Sequence, residues 1–371
     1  MDGIKGFKTI VIDYMTSNLN ELLTKSLIDL LKMVYERKTL IPRTYIQHRN
    51  IAELFRCPNI TVAQDGSGNF TKIMDAVLAA PNHSLMHFVI FVKRGLYREY
   101  VKIHSNKWNL VMIGEGMDLT VVNGNRSYGD GWRTYDSATF AVSGQGFIAM
   151  NMGFENTAEP NNHQAVALRS SSDRSAFYRC KFISHQDTLY AHSHRQFYKK
   201  CRISGTVDFI FGRAKAVFQD CSILPRQNYV GGQNTITANG RNFSAMESGF
   251  SFQRCAIFAD TNAKKSKRAT TPTYLGRPWG NYSRTVFMHT YMSNIVVPEG
   301  WMEWQGRTNY DSIYYGEYKN SGLGSELAGR VKWPGFHVIT NSSVTSLFTV
   351  AEFIQGDLWL PFTKVPYNRG V

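Results

Sequence analysis

The segments Phe177-Tyr178-Arg179-Cys180, Phe197-Tyr198-Lys199-Lys200-Cys201 and Val217-Phe218-Gln219-Asp220-Cys221 repeat one short aromatic phrase, and their cysteines stand 21 and 20 residues apart. Self-similarity at such a period marks a stacked repeat, in which each unit buries its core only by lying on its neighbour. The repeated segments are short, aromatic and β-branched, with Gly, Ser or Asp between them, so they read as strands. Two aspartates obey the same period: Asp187 in Gln186-Asp187-Thr188-Leu189 and Asp208 in Asp208-Phe209-Ile210-Phe211-Gly212 are 21 residues apart. Stacked parallel strands lie about 4.8 Å apart, so these carboxyl groups are expected side by side on adjacent rungs. The architecture these facts support is all-β, a right-handed parallel β-helix with a few peripheral helices. A β-sandwich would need tight two-residue hairpin turns that the sequence does not offer.

The rest of the chain fits that frame. Leu19, Leu22, Leu23, Leu27, Ile28, Leu30, Leu31 and Val34 recur at helical spacing and predict one amphipathic helix over 18–36. A single helix makes no core, so residues 1–40 are set apart as a partial domain, 41–58 as a basic linker, and 59–371 as the main domain. Within the latter, Asp65-Gly66-Ser67-Gly68-Asn69 predicts a turn, Phe70 to Ala80 a helix, His87 to Val92 a strand, and Val344 to Ile354 a terminal helix.

Charge narrows the partner. The formal net charge of +14 favours a polyanion, yet no zinc-finger spacing, RNP-like strand or basic helix points to nucleic acid. The run Lys264-Lys265-Ser266-Lys267-Arg268 reads as a solvated loop. No stretch reaches the roughly 18 apolar residues of a membrane span. An acidic polysaccharide is the better match.

Cysteine usage leaves two readings open. Cys180, Cys201, Cys221 and Cys255 share one place in the repeat. They form either two disulfides between neighbouring coils, Cys180–Cys201 and Cys221–Cys255 with Cys57 left over, or four buried thiols. Seven Asn-x-Ser/Thr sequons, at Asn59, Asn69, Asn82, Asn125, Asn242, Asn281 and Asn341, point to secretion, whereas the opening Met1-Asp2-Gly3-Ile4-Lys5 begins no signal peptide.

The chemistry gathers around the aspartates. Gln164, in Gln164-Ala165-Val166-Ala167-Leu168, precedes Gln186 by 22 residues, which stacks an amide one rung away. Two carboxyls a few ångströms apart cannot both ionise easily, so they divide into acid and base. Amides beside them can donate to a developing oxyanion. That set suits acyl transfer. Read singly, either aspartate could equally close a turn between strands; in register, and flanked by Gln164 and Gln186, they read as a site. His185, His192 and His194 lack a matching carboxylate spacing and read as turn or solvated residues rather than metal ligands.

These residues resemble a known family. Gly95-Leu96-Tyr97-Arg98-Glu99, Gln164-Ala165-Val166-Ala167-Leu168, Gln186-Asp187-Thr188-Leu189, Asp208-Phe209-Ile210-Phe211-Gly212 and Leu275-Gly276-Arg277-Pro278-Trp279 are similar, in order, to the five signature motifs of plant pectin methylesterases. The resemblance runs from about residue 59 to the C-terminus. It implies that Asp208 is the nucleophile, Asp187 the general acid and then base, Gln186 and Gln164 the oxyanion donors, and Arg277 the residue orienting Asp208. Phe211 and Trp279 become aromatic walls for sugar rings, while Tyr97 and Glu99 read as structural. It implies no metal or organic cofactor, pectin as substrate and a proteinaceous pectin methylesterase inhibitor as a further partner. The enzyme is then expected to act as a secreted cell-wall monomer, without nucleic acid or membrane. The N-terminal piece resembles the last helix of an inhibitor-like pro-region, and Arg37-Lys38-Thr39-Leu40 a variant of its basic processing site. Arg213 departs from the family pattern, which has an uncharged polar residue there.

Two other readings remain to be tested. A polygalacturonase or pectate lyase would share the architecture, but the Asn-Thr-Asp and Gly-His-Gly motifs of polygalacturonases and a calcium-binding acidic cluster are missing. An inactive wall-binding protein would keep the basic, aromatic groove. A serine esterase is excluded by the lack of a Gly-x-Ser-x-Gly elbow.

Overall fold

The computed structural model describes residues 58–260, 271–306 and 309–370, all within one unit of the chain, Glu53–Val371. The expected helix over 18–36, the processing-site sequence Arg37–Leu40, Cys57 and the basic run 264–268 lie outside the described residues.

Three parallel sheets of eleven, seven and eight strands wrap one core, and strands adjacent in a sheet come from successive coils of the chain. This is the right-handed parallel β-helix expected from the repeat. Its register is set from inside. Phe177, Tyr198, Phe218, Phe252 and Phe287 pair across five coils of the eleven-stranded sheet. Their rings stack at centroid distances of 4.9, 4.7, 4.6 and 4.4 Å. Each such contact contributes about 0.5–1.5 kcal/mol beyond area burial, and a slip of one residue would turn the whole ladder outward.

The bend that follows this sheet is also repeated. Arg179, Lys200, Asp220 and Arg254 all take left-handed backbone conformations, with φ between 50° and 54°. The N–H of each donates to a carbonyl of the next coil, those of Lys199, Gln219, Gln253 and Met288, at 3.0–3.1 Å. A cost of about 1–2 kcal/mol for each such residue is thereby offset at every rung.

Directly after those residues come the four cysteines, and here one reading of the sequence is corrected. Cys180, Cys201, Cys221 and Cys255 are free, buried thiols; the disulfides Cys180–Cys201 and Cys221–Cys255 do not form. In-register side chains of parallel strands run alongside one another, whereas a disulfide needs Cβ vectors that converge. Each thiol instead donates to the carbonyl two residues back, at 3.5–3.6 Å. Burial pushes the Cys180 thiol up to about 12 and those of Cys221 and Cys255 well above the ordinary range.

Helices cover the first coil and one outer face of the stack. The helix Ile73–Ala79 buries Ile73, Ala76 and Val77 on the first coil. No side chain of its own caps it; Glu99 does so from the next coil, accepting from the N–H groups of Ile73 (2.9 Å) and Met74 (3.0 Å). Tyr97 hydrogen-bonds through its hydroxyl to the Lys93 carbonyl at 2.9 Å. Both residues of the first motif therefore work in the scaffold. The expected terminal helix is split into Ser342–Ser346 and Val350–Phe353. Thr349 breaks it, since its hydroxyl donates to the Ser346 carbonyl at 2.7 Å and caps the second piece by accepting from Glu352. The two pieces bring Phe348, Val350 and Phe353 to the outer face of the eleven-stranded sheet, against Val217 and Val286.

Candidate active site

The floor of the site is the outer face of the seven-stranded sheet. Its middle positions align as Ala141, Arg169, Tyr190, Phe211 and Ala238 on successive rungs. Small residues (Ala138, Ala141, Val166 and Ala238) keep the floor shallow around Phe211, Tyr190 and Trp279. Tyr190 and Phe211 stack at 4.1 Å, and Trp279 leans on Phe211 at 6.3 Å and 53°. Gly212 ends this floor strand at φ +128°, where a Cβ would come within 1.9 Å of the Ala191 carbonyl oxygen; no other residue fits there.

Asp187 and Asp208 enter just before two neighbouring floor strands, Leu189–Ala191 and Ile210–Gly212. Both adopt left-handed backbone, φ 63° and 51°, a conformation that Asp tolerates better than most residues. The Asp187 N–H donates to the Val207 carbonyl at 3.0 Å, which fixes the two turns one rung apart. Gln186 and Gln164 line up by the same device one coil earlier, where the Ala165 N–H donates to the Gln186 carbonyl at 3.1 Å. The Gln164 Oε1 is buried without a hydrogen-bond partner among the described residues, so this amide retains capacity for a further contact.

The two carboxyl groups live in different surroundings. Asp208 takes a bidentate grip from Arg277, whose Nε donates to Oδ1 at 2.8 Å and whose Nη2 donates to Oδ2 at 2.7 Å. Thr235 donates its hydroxyl to Oδ1 at 2.7 Å and accepts the Asp208 N–H at 2.8 Å. Burial alone would lower the Arg277 guanidinium, but the hydrogen bonds and charge of Asp208 outweigh it and raise it. Its outer face lies 4.7 Å from the ring of Trp304. Asp187 has no such partner. Burial first, then the Asp208 charge, push its carboxyl well above the usual range, and Arg277 offsets this only in part. The pair can therefore offer a protonated carboxyl at Asp187 beside an oriented carboxyl at Asp208.

The structure adds residues that the sequence reading missed. Thr235 is one, since an inserted loop puts it 27 residues after Asp208 rather than one period. Tyr190 and Arg169 carry a signal that could have been read: they occupy the middle of Leu189-Tyr190-Ala191 and Leu168-Arg169-Ser170, in phase with Phe211. Arg169 stacks on Tyr135 at 3.6 Å, and Tyr135 meets His192 edge-on at 5.3 Å. Tyr135 comes from an irregular loop with no sequence signal. His192 is half-buried in this aromatic group, and its Nδ1 lies 3.1 Å from the hydroxyls of Ser171 and Ser193.

Comparisons with known proteins converge. A family model described as pectinesterase matches residues 59–357. A pectinesterase/pectinesterase inhibitor of Prunus persica is 56% identical over 307 residues, 83% of this chain and 59% of its own length. A probable pectinesterase/pectinesterase inhibitor of Arabidopsis thaliana is 54% identical over 316 residues, 85% of this chain and 60% of its own length. The chain therefore spans about three fifths of the length of these curated relatives. Among solved structures, a pectin methylesterase from carrot superposes with a TM-score of 0.83 at 45% identity, covering 85% of this chain and 98% of that one.

Proposed function

Since the chain belongs to the pectinesterase family, we propose that it hydrolyses the methyl esters of homogalacturonan, releasing methanol and leaving pectate. In this reading residues 59–371 are the catalytic domain, 41–58 a basic linker and 1–40 a segment of an inhibitor-like pro-region.

The observation that carries this reading is the contrast between the two aspartates. An Asp208 oxygen, held by Arg277 and Thr235, attacks the ester carbonyl carbon. The carbonyl electrons move to oxygen, where the amides of Gln164 and Gln186 donate hydrogen bonds to the oxyanion. Collapse expels the methoxy group, which takes the proton of Asp187 and leaves as methanol. The sugar is now an anhydride of Asp208. Ionised Asp187 draws a proton from water, the water oxygen attacks the anhydride, and collapse frees the galacturonate and the Asp208 carboxylate. Phe211 and Trp279 offer apolar faces on which sugar rings can lie. The basic charge of the chain suits the polyanionic product.

A single chain supplies every group in this scheme, so a monomer suffices. All seven sequon asparagines are exposed, which supports a glycosylated protein of the cell wall. An inhibitor protein would act by covering the same cleft.

The test is methanol release from highly methylated pectin by the full chain, with polymer length followed in the same sample. Methanol at constant length is the expected result. Shortened chains would instead mark a depolymerase, and pectin binding without reaction a wall-binding protein.

A further inference from the structure

Each coil runs from the eleven-stranded sheet through the eight-stranded sheet to the seven-stranded one, as in Ser175–Tyr178, Lys181–Ile183 and Leu189–Ala191. The bend between the first two sheets is therefore the corner facing away from the cleft floor. Its left-handed residues form one column, Arg179, Lys200, Asp220, Arg254, His289 and Lys319, with φ between 46° and 54°. The residues just before them pair rung on rung, from Tyr178 with Lys199 to Met288 with Tyr318. Six rungs about 4.8 Å apart set these side chains along a line of about 24 Å.

The line is positive. Its one acid, Asp220, is already held by Lys199 and, at 3.0 Å, by Arg254, a trio that keeps one net positive charge. Beyond the bend, Asp118 and Glu155 are likewise paired with Lys181 and Arg202. Arg179, Lys200 and Lys319 are exposed and make no ion pair with an acid among the described residues. The outer cations are steadied by aromatic rings instead. Arg179 lies 5.2 Å over Tyr178, and Lys319 lies 5.2 Å over Tyr318. His289 meets Tyr318 edge-on at 5.2 Å, and its imidazole is lowered by burial and then by the charges of Lys319 and Arg254.

The backbone does not ask for this sign. Left-handed turns suit Asn and Asp best, and Asn151 makes the same bend one coil before Arg179, at φ 55°, its N–H donating to the Tyr178 carbonyl at 3.0 Å. A row of like charges repels itself, a cost that a polyanion lying along it removes.

We propose that this corner binds a second, de-esterified strand of galacturonan lengthwise along Arg179, Lys200, Arg254 and Lys319, on the far side of the solenoid from the cleft. The choice of polyanion rests on the esterase reading, whose product is a linear chain with a free carboxylate on each sugar. The enzyme is then held on finished product while its cleft works on another strand.

The test is retention of the full chain, at fixed salt, on immobilised and fully de-esterified galacturonan. Wild type is compared with Arg179→Asn/Lys200→Asn and with the charge-keeping Arg179→Lys/Lys200→Arg. A third variant, Lys72→Gln/Lys332→Gln, removes the same charge from exposed residues elsewhere. The retention factor of Arg179→Asn/Lys200→Asn should fall about tenfold, the scale of two exposed charge contacts, while the other two stay near wild type. No fall, or an equal fall in Lys72→Gln/Lys332→Gln, overturns the proposal. So does a larger fall on immobilised double-stranded DNA, which would assign the corner to nucleic acid. In parallel, kcat/KM is measured for methanol release from a methyl-esterified galacturonate hexamer, too short to span cleft and corner. Arg179→Asn/Lys200→Asn should leave it unchanged; a parallel loss would mean that the pair acts through the cleft or the fold, and overturns the proposal. If wild type releases no methanol, the esterase reading fails, and the retention comparison still decides whether the corner takes the polyanion.

Discussion

Thr235 and Asp208 exchange two hydrogen bonds, the hydroxyl donating to the carboxylate Oδ1 at 2.7 Å and accepting the aspartate N–H at 2.8 Å. The threonine thereby fixes the backbone and the side chain of the same residue. Thr235→Val removes the donor and leaves a buried N–H unsatisfied, at a cost of about 1–3 kcal/mol. Thermal melts should show the loss of stability, and kcat for methanol release should fall with it, while KM changes little.

Replacing the oxygen proposed to attack is more severe. Asp208→Asn should lower kcat by at least about a thousandfold, with pectin binding retained. Single-turnover methanol release and a pectin co-sedimentation assay check the two halves of the statement. Substantial residual turnover would place the nucleophile elsewhere.

Asp187 gives a pH signature. Its carboxyl is raised in the folded protein by burial and the Asp208 charge, so the folded state favours the protonated form. The associated stability is complete below the ordinary aspartate value of about 3.9 and is lost as pH rises through the folded value. Asp187→Asn, which cannot ionise, should therefore gain stability over wild type as pH rises through that window. Denaturant melts across pH measure it, and a constant difference would sink the assignment. Turnover by Asp187→Asn should fall about a hundred- to ten-thousandfold.

Arg277 acts through geometry as well as charge. Arg277→Lys keeps the cation but replaces two parallel bonds of 2.8 and 2.7 Å with a point contact. A drop of about ten- to a hundredfold in kcat is expected, corresponding to one charge-assisted hydrogen bond of about 1.5–3 kcal/mol. Steady-state kinetics on methylated pectin provide the check.

The thiols make a separate prediction. In the absence of reductant, Cys180, Cys201, Cys221 and Cys255 should resist alkylation in the native protein and react fully in denaturant, because all four are buried out of reach of the reagent. Peptide mapping by mass spectrometry decides it; a recovered Cys221–Cys255 cross-link would overturn it.

What the sequence disclosed followed its periodicity. Asp187, Asp208, Gln164 and Gln186 are 21 or 22 residues apart in pairs, so a stacked repeat aligns them whatever the detail of each coil. Thr235 lies beyond an inserted loop, and Arg277 is 69 residues from Asp208, across loops of unequal length that no period can bridge; only the motif resemblance pointed to Arg277. The same periodicity misled at the cysteines. Equal lateral position means parallel side chains, which is why Cys180 and Cys201 stack without bonding. At Thr349 a helical pattern was broken by a hydroxyl that competes for backbone groups, a local effect invisible to hydrophobic spacing.

One consequence follows from stacking itself. Each coil leans mainly on the coils next to it, so opening should begin at the ends and advance rung by rung. The floor strand that follows Asp187 is the fourth of seven in its sheet, with three on either side. Fraying from either terminus must consume several coils before it reaches the paired carboxyls. The paired carboxyls thus occupy the part of the solenoid insulated from both of its melting fronts.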